Sequence, residues 1–159
     1  MTADNTTNIK QDTLQLASFF PYRLSQLQSA VSHSISEQYG KHDLSRQQWR
    51  ILAVLGDHEI SGTKQSLSAK QLGEQTNLDK MQTSRAIEKL CQQNRATKTT
   101  DENDKRSILI KLTDEGQALY QQIVPDVKEK NDQLLSALTQ RQQEQLITMM
   151  DKLLKQAQS

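Results

Sequence analysis

Apolar residues along this chain recur at steps of three and four over most of its length, and at steps of two in one short stretch. Phe20, Leu24, Leu27, Val31 and Ile35 define one stripe of a helix. The helical pattern begins at Gln11, with Leu14, Leu16 and Phe19 forming a preceding turn or short helix. Pro21 suits a first helical turn, and Tyr39-Gly40 a helix end. Ser45 predicts the N-cap of a second helix, with Ile51, Leu52 and Leu55 inward, Trp49 near that face and Gly56 just past its end. Residues 57–67 are polar, contain Gly62 and lack a period, which predicts a loop. Ser68 caps a short helix anchored by Leu72, and Asn77 or Asp79 caps the next. Two short helices joined this closely predict a helix-turn-helix.

Over residues 79–93, Thr83, Ile87, Leu90 and Cys91 share one helix face. Gln82, Arg85 and Lys89 lie opposite, with Met81 near the edge. Residues 97–100 are short and β-branched, and 101–105 are turn-formers. Ile108, Ile110 and Leu112 then alternate with Ser107, Leu109 and Lys111, as in a strand with one buried face. The result is a hairpin with a charged tip. Thr113, followed by Asp114 and Glu115, caps a long helix with a seam of Leu119, Ile123, Val127, Leu134 and Leu138. Pro125 predicts a kink in it. Thr139 with Gln142 forms a capping box, and Leu146, Ile147, Met150, Leu153 and Leu154 mark the last stripe.

The fold expected is mainly α with a small β-hairpin wing. A polar, mobile lead (1–10) precedes an N-terminal helical dimerisation segment (11–42), a winged helix-turn-helix (43–113) and C-terminal dimerisation helices (114–159). The terminal helices are too thinly apolar to bundle alone, so they are expected to pair with a second subunit. Only 34% of residues are hydrophobic and 4% aromatic. That suggests long solvated helices rather than a thick core. No apolar run approaches a membrane span, no signal peptide is evident, and the single cysteine excludes an internal disulfide framework. These features predict a soluble cytoplasmic protein without membrane association.

Charge changes the picture more than composition does. The whole chain is +1, yet residues 80–111 hold eight basic against four acidic residues, a local +4. The remainder, with twelve basic and fifteen acidic, is −3. A basic centre between mildly acidic arms suits a locally DNA-facing protein. Gln82 and Arg85, on the first turns of the 79–93 helix, are candidates for base edges. Gln can pair with adenine and Arg with guanine. Ser68, Thr83, Ser84 and Lys89 suit phosphate contact, although Thr83 tilts inward toward packing. The competing reading is an ordinary solvated polar face. Cys91, beside Leu90, reads as a small buried hydrophobe rather than a redox thiol. His33, His42 and His58 have no metal-ligand spacing. With no nucleophile–base pair or phosphate loop either, neither a metal, a cofactor nor an enzyme is expected.

Three segments in order, LSRQQWRILAVL, LSAKQLGEQTNLDKMQTSRAIEKL and DENDKRSILIKLTDEG, resemble the successive signatures of the MarR family of winged-helix transcription regulators. PYRLSQL, from Pro21, resembles the first helix of one branch of that family. The resemblance implies a homodimer with interlocked terminal helices, binding a pseudo-palindromic operator of double-stranded DNA. It further implies a repressor released by a small aromatic or phenolic effector. Asp104-Lys105-Arg106 matches the family's acid-x-Arg wing element. Arg106 would enter the minor groove or grip phosphate, with Asp104 orienting its guanidinium or a neighbouring one. Lys98 stands where the family often has Arg and would support the wing. Tyr22, His33, Trp49 and Arg50 fall near the family's effector cleft, where core packing is the default for Trp49. Two residues depart from the pattern: Asn94 replaces a common glycine and Arg95 an apolar residue. Asn tolerates the left-handed turn next best. The 57–67 loop also looks longer than the family's. The alternative is a winged-helix protein-interaction module that does not bind DNA.

Overall fold

Helix starts in this chain are set by local side-chain chemistry. In the computed structural model, which describes residues 13–62 and 66–159, four helices begin with reciprocal capping boxes. Ser45 and Gln48 open α2 (Arg46–Ser61), and Ser68 and Gln71 open α3 (Ala69–Thr76). Asp79 and Gln82 open α4 (Lys80–Gln92), and Thr139 and Gln142 open α6 (Gln140–Ala157). In each, the cap side chain accepts the third residue's N–H and the glutamine accepts the cap's N–H, satisfying two otherwise orphan donors. Thr113 caps α5 (Asp114–Leu135), accepting from the Gly116 N–H. The polar lead 1–10, the helical start at Gln11 and residues 63–65 of the expected loop lie outside the described residues.

The chain divides into two compact units, residues 1–33 and 34–159. The first contains a 3-10 turn, Leu16–Ser18, and the opening of α1 (Phe20–Gly40). The apolar side chains Leu16, Phe19, Phe20, Leu24 and Leu27 stand exposed there. The second unit carries the end of α1 and everything after it. Two strands, β2 (Ala96–Thr100) and β3 (Ile108–Leu112), form the expected hairpin. A third, β1 (Leu67–Ser68), pairs with β3 on its other edge, giving the antiparallel order β1-β3-β2. Leu67 lies opposite Ile110, which in turn lies opposite Lys98. Sequence periodicity misses β1 because two residues cannot show an alternation.

The core gathers Ile51, Leu52 and Leu55 of α2, Leu72 of α3, Ala86, Ile87 and Leu90 of α4, and Ile110 and Leu112 of β3, closed by Tyr120 and Ile123 of α5. Ile108, expected on the buried face of its strand, is instead exposed beside the turn, where it lies opposite Thr100. Gly56 does not end α2, which continues to Ser61; Gly62, in the left-handed conformation, caps it instead. The glycine is required there by packing. A Cβ at Gly56 would lie 2.5 Å from the Tyr120 ring of α5. Residues 57–61 are thus helical rather than loop. α5 runs as one helix through Pro125, which is exposed. α6 has no buried residue, and its Ile147, Met150, Leu153 and Leu154 stand exposed.

Candidate nucleic-acid interface

The geometry of α3 and α4 follows from two residues between them. Asn77 adopts the left-handed conformation (φ 53°) and its N-terminal neighbours end α3 there, while Asp79 starts α4 two residues later. Gly73 admits the close approach of the helices, its hypothetical Cβ lying 3.1 Å from Thr83 Oγ1 and 3.3 Å from the Leu78 carbonyl. α4 is then held by a single buried face of Thr83, Ala86, Ile87 and Leu90. The opposite face exposes Gln82, Ser84, Arg85, Lys89 and, beside them, Met81. Ala86 completes the buried stripe, although its small side chain gave no signal of its own.

Thr83 does not belong to the outward set. It is 3% exposed, and its hydroxyl donates to the Asp79 carbonyl at 2.8 Å, so it packs rather than reaching a phosphate. Gln82 is exposed, with its Oε1 engaged by the Asp79 N–H at 3.3 Å. Its amide donors remain directed by a long, easily exchanged bond. Ser68 is half-buried, its hydroxyl oxygen accepting from the Gln71 N–H, which leaves the hydroxyl proton to donate.

The wing tip is built from side chains that hold backbone. Asp101 Oδ1 accepts the Asn103 N–H at 2.9 Å, and Asp104 Oδ1 accepts the Arg106 N–H at 3.0 Å. Two Asx turns therefore set the path of residues 101–107. Asp104 holds Arg106 through its backbone N–H rather than through the guanidinium expected from the sequence. Lys105 and Arg106 project into solvent, and Lys98 is exposed on β2. Cys91 is half-buried, and burial pushes its thiol upward. Lys98 acts against that shift and Glu88 adds to it.

At the joint between α4 and the wing, Asn94 is left-handed (φ 56°), as expected of the residue replacing glycine. Its Nδ2 donates to Glu115 Oε2 at 2.8 Å, and its carbonyl accepts the Thr113 hydroxyl at 2.7 Å. Arg95 turns back toward the α1–α2 corner. Nη2 donates to the His42 carbonyl at 2.6 Å, and Nη1 to the Asp43 carbonyl at 3.3 Å and Gln93 Oε1 at 3.2 Å. Gln93 in turn donates to the Asp43 carboxylate at 3.0 Å and accepts from the buried Gln48 at 2.8 Å. None of these ties was evident from sequence.

The four effector candidates separate. Trp49 stacks between Tyr39 (centroids 5.8 Å) and Tyr120 (6.4 Å), within the packed core. Arg50 Nη1 donates to the Thr76 carbonyl at 3.2 Å, fastening α2 to the end of α3. Tyr22, exposed in the first unit, accepts from Gln26 Nε2 at 3.1 Å, and His33 is exposed in the same unit. A cleft of about 450 Å³ lies between α2 and α5, lined by Asp57, Ile60, Tyr120, Val124, Pro125 and Lys128 among others. Tyr120 hydrogen-bonds Asp57 at its edge. Burial, followed by the bond to and charge of Asp57, raises the Tyr120 hydroxyl well above the ordinary phenol range.

Residues 42–107 match the MarR family model. Similarity to the organic hydroperoxide resistance transcriptional regulator of Bacillus subtilis is 31% identity over 99 residues, 60% of this chain and 63% of that one. The chain thus matches less than two thirds of that relative's length. Among solved structures, S. aureus MepR in complex with DNA superposes with a TM-score of 0.77 at 19% identity, over 87% of this chain and 98% of that one. Bordetella bronchiseptica BpsR, studied for regulation of its DNA binding by 6-hydroxynicotinic acid, gives 0.78 at 18%, over 89% and 96%. At these identities the two structures show the shared winged-helix fold.

Proposed function

From the match of residues 42–107 to the MarR family model we propose that the chain is a winged-helix member of that family, a sequence-specific regulator of transcription that binds double-stranded DNA. One observation supports this above the rest. α4 is anchored by one buried face and offers Gln82, Ser84, Arg85 and Lys89 on the other, with Arg106 on a separately braced wing. Donors on a rigid helix suit the major groove. A guanidinium on a hairpin tip suits the negative potential of a narrow minor groove. Lys89, Lys98 and Lys105, with Ser68, would hold phosphates, and Asp104 would keep the wing turn in shape.

The working unit is a homodimer reading a pseudo-palindromic operator, which the exposed apolar stripe of α6 supports. It acts as a repressor in the cytoplasm and releases DNA when a small aromatic or phenolic effector binds. Trp49 and Arg50 stay candidates for sensing that effector through the packing they maintain, as do Tyr22 and His33 in the first unit. Among the described residues no helix is long and apolar enough to cross a membrane.

Selection of genomic fragments by the purified protein tests the reading directly. A recurrent pseudo-palindrome should emerge. Arg106→Ala should weaken its binding, lower the slope of log K against log salt by about one, and leave the dimer intact. Specific binding that survives loss of both Arg85 and Arg106 would sink the assignment.

A further inference from the structure

We propose that Arg95 is a positioning residue for DNA recognition, tying the joint between α4 and the wing to the corner between α1 and α2. The inference rests on the DNA-binding reading above and goes beyond it, because Arg95 itself is not placed among the groups that meet DNA. It immediately follows the left-handed Asn94 at which the chain turns from α4 into β2. Its backbone is fixed from both sides: its N–H donates to the Leu90 carbonyl at 2.8 Å, and its carbonyl accepts the Thr113 N–H at 3.2 Å. Its side chain runs the other way, to carbonyls 52 and 53 residues earlier in the chain.

Those carbonyls lie just past the end of α1. Asp43 is itself left-handed (φ 57°), and the turn 41–43 presents the His42 and Asp43 oxygens together. A planar guanidinium donates to both and to Gln93 from two nitrogens held in a fixed fork, a geometry that the single nitrogen of an ammonium does not reproduce. A cation at a helix C-terminus is also favoured by the helix dipole. The half-buried setting strengthens these bonds relative to open water. Gln93 carries the connection to the buried Gln48 of α2. One side chain therefore sets α4 and the wing strand relative to the end of α1 and the start of α2. Loss of that tie lets helix and wing shift against each other, so that they no longer meet two grooves in one register.

The test uses the full chain, the operator recovered by fragment selection, and a scrambled duplex of equal length. Arg95→Met keeps the stem and removes the donors. It should weaken operator binding roughly tenfold, the scale of one lost hydrogen bond to a charged group. Affinity for the scrambled duplex and the salt slope should match wild type, because no phosphate contact is removed. Arg95→Lys should fall between the two, and alone carries the test if the Met variant does not fold. Wild-type operator affinity in the folded Met variant, or in the Lys variant if Met fails to fold, overturns the inference. A slope reduced by about one also overturns it, by making Arg95 a direct phosphate contact. A wild-type protein that selects no fragment overturns the DNA-binding reading itself and this inference with it.

Discussion

Replacing Gly56 by alanine should destabilise the protein, although alanine is the better helix former. Gly56 lies inside α2, and its helical neighbours would gain roughly 1 kcal/mol from the change on propensity alone. Against this, the added Cβ would sit 2.5 Å from two atoms of the Tyr120 ring and 2.8 Å from a third. Ordinary carbon contacts begin near 3.5 Å, so ring or helix must yield by about 1 Å. The ring cannot simply turn aside. It is 5% exposed, stacked on Trp49, and tethered by its hydroxyl to Asp57. Overpacking of this kind costs about 1–3 kcal/mol, and swinging the ring free would forfeit a bond to a charged group worth about 1.5–3 kcal/mol. The balance is a net loss of up to about 2 kcal/mol after the propensity gain of about 1 kcal/mol is subtracted. Urea unfolding at matched protein concentration measures it, and the fluorescence of Trp49, the single tryptophan, reports on the stack. Gly40→Ala is the control: it ends α1 with nothing within 4 Å of a Cβ, and should be neutral or mildly stabilising. In a double-mutant cycle, Tyr120→Leu should recover part of the Gly56→Ala loss. A Gly56→Ala protein stabilised like the control would refute the argument that Tyr120 is what excludes a side chain there.

Two other outcomes follow from buried hydroxyl and thiol groups. Tyr120 is held protonated in the folded state, so its contribution to stability is complete below the ordinary phenol value near pH 10 and is lost as pH rises beyond it. Urea midpoints should therefore fall through that alkaline range, and less steeply in Tyr120→Phe; identical alkaline profiles would contradict the assignment. The Cys91 thiol is also raised by burial, so iodoacetamide should modify native protein much more slowly than urea-unfolded protein at neutral pH, as read by mass spectrometry. Equal rates would show that the thiol is not shielded.

Local signals made most element starts legible. Ser45, Ser68, Thr113 and Thr139 each announce a helix through chemistry confined to four residues, and all four cap in the structure; of Asn77 and Asp79, it is Asp79 that caps α4. The buried face of α4 was legible for the same reason, through its period. What escaped depends on partners far along the chain. Gly56 reads as a terminator until Tyr120 is seen above it, and Leu67–Ser68 gain strand character only by pairing with β3. Asp57, taken as loop, proves to be the partner of Tyr120. Arg95 read only as a departure from a family pattern, because its acceptors are backbone carbonyls, which leave no residue-type signal. The inward turn of Thr83 was foreseeable from its face, yet its side-chain chemistry also suited phosphate.

The glutamines in the capping boxes have a consequence of their own. Glutamate serves the same position geometrically, but would place a titrating negative charge in the first helical turn. Here the second partner is Gln48, Gln71, Gln82 or Gln142, and none of these helices has an acid in its first turn. Three of the four pairs, those led by Ser45, Ser68 and Thr139, are wholly uncharged, so these caps contain no carboxylate for acid to titrate. α5 alone opens on an acidic pair, Asp114 and Glu115, and Glu115 is bound to Asn94. The chain thus keeps acidic side chains out of the first turns of α2, α3, α4 and α6 and uses them where a joint needs fastening.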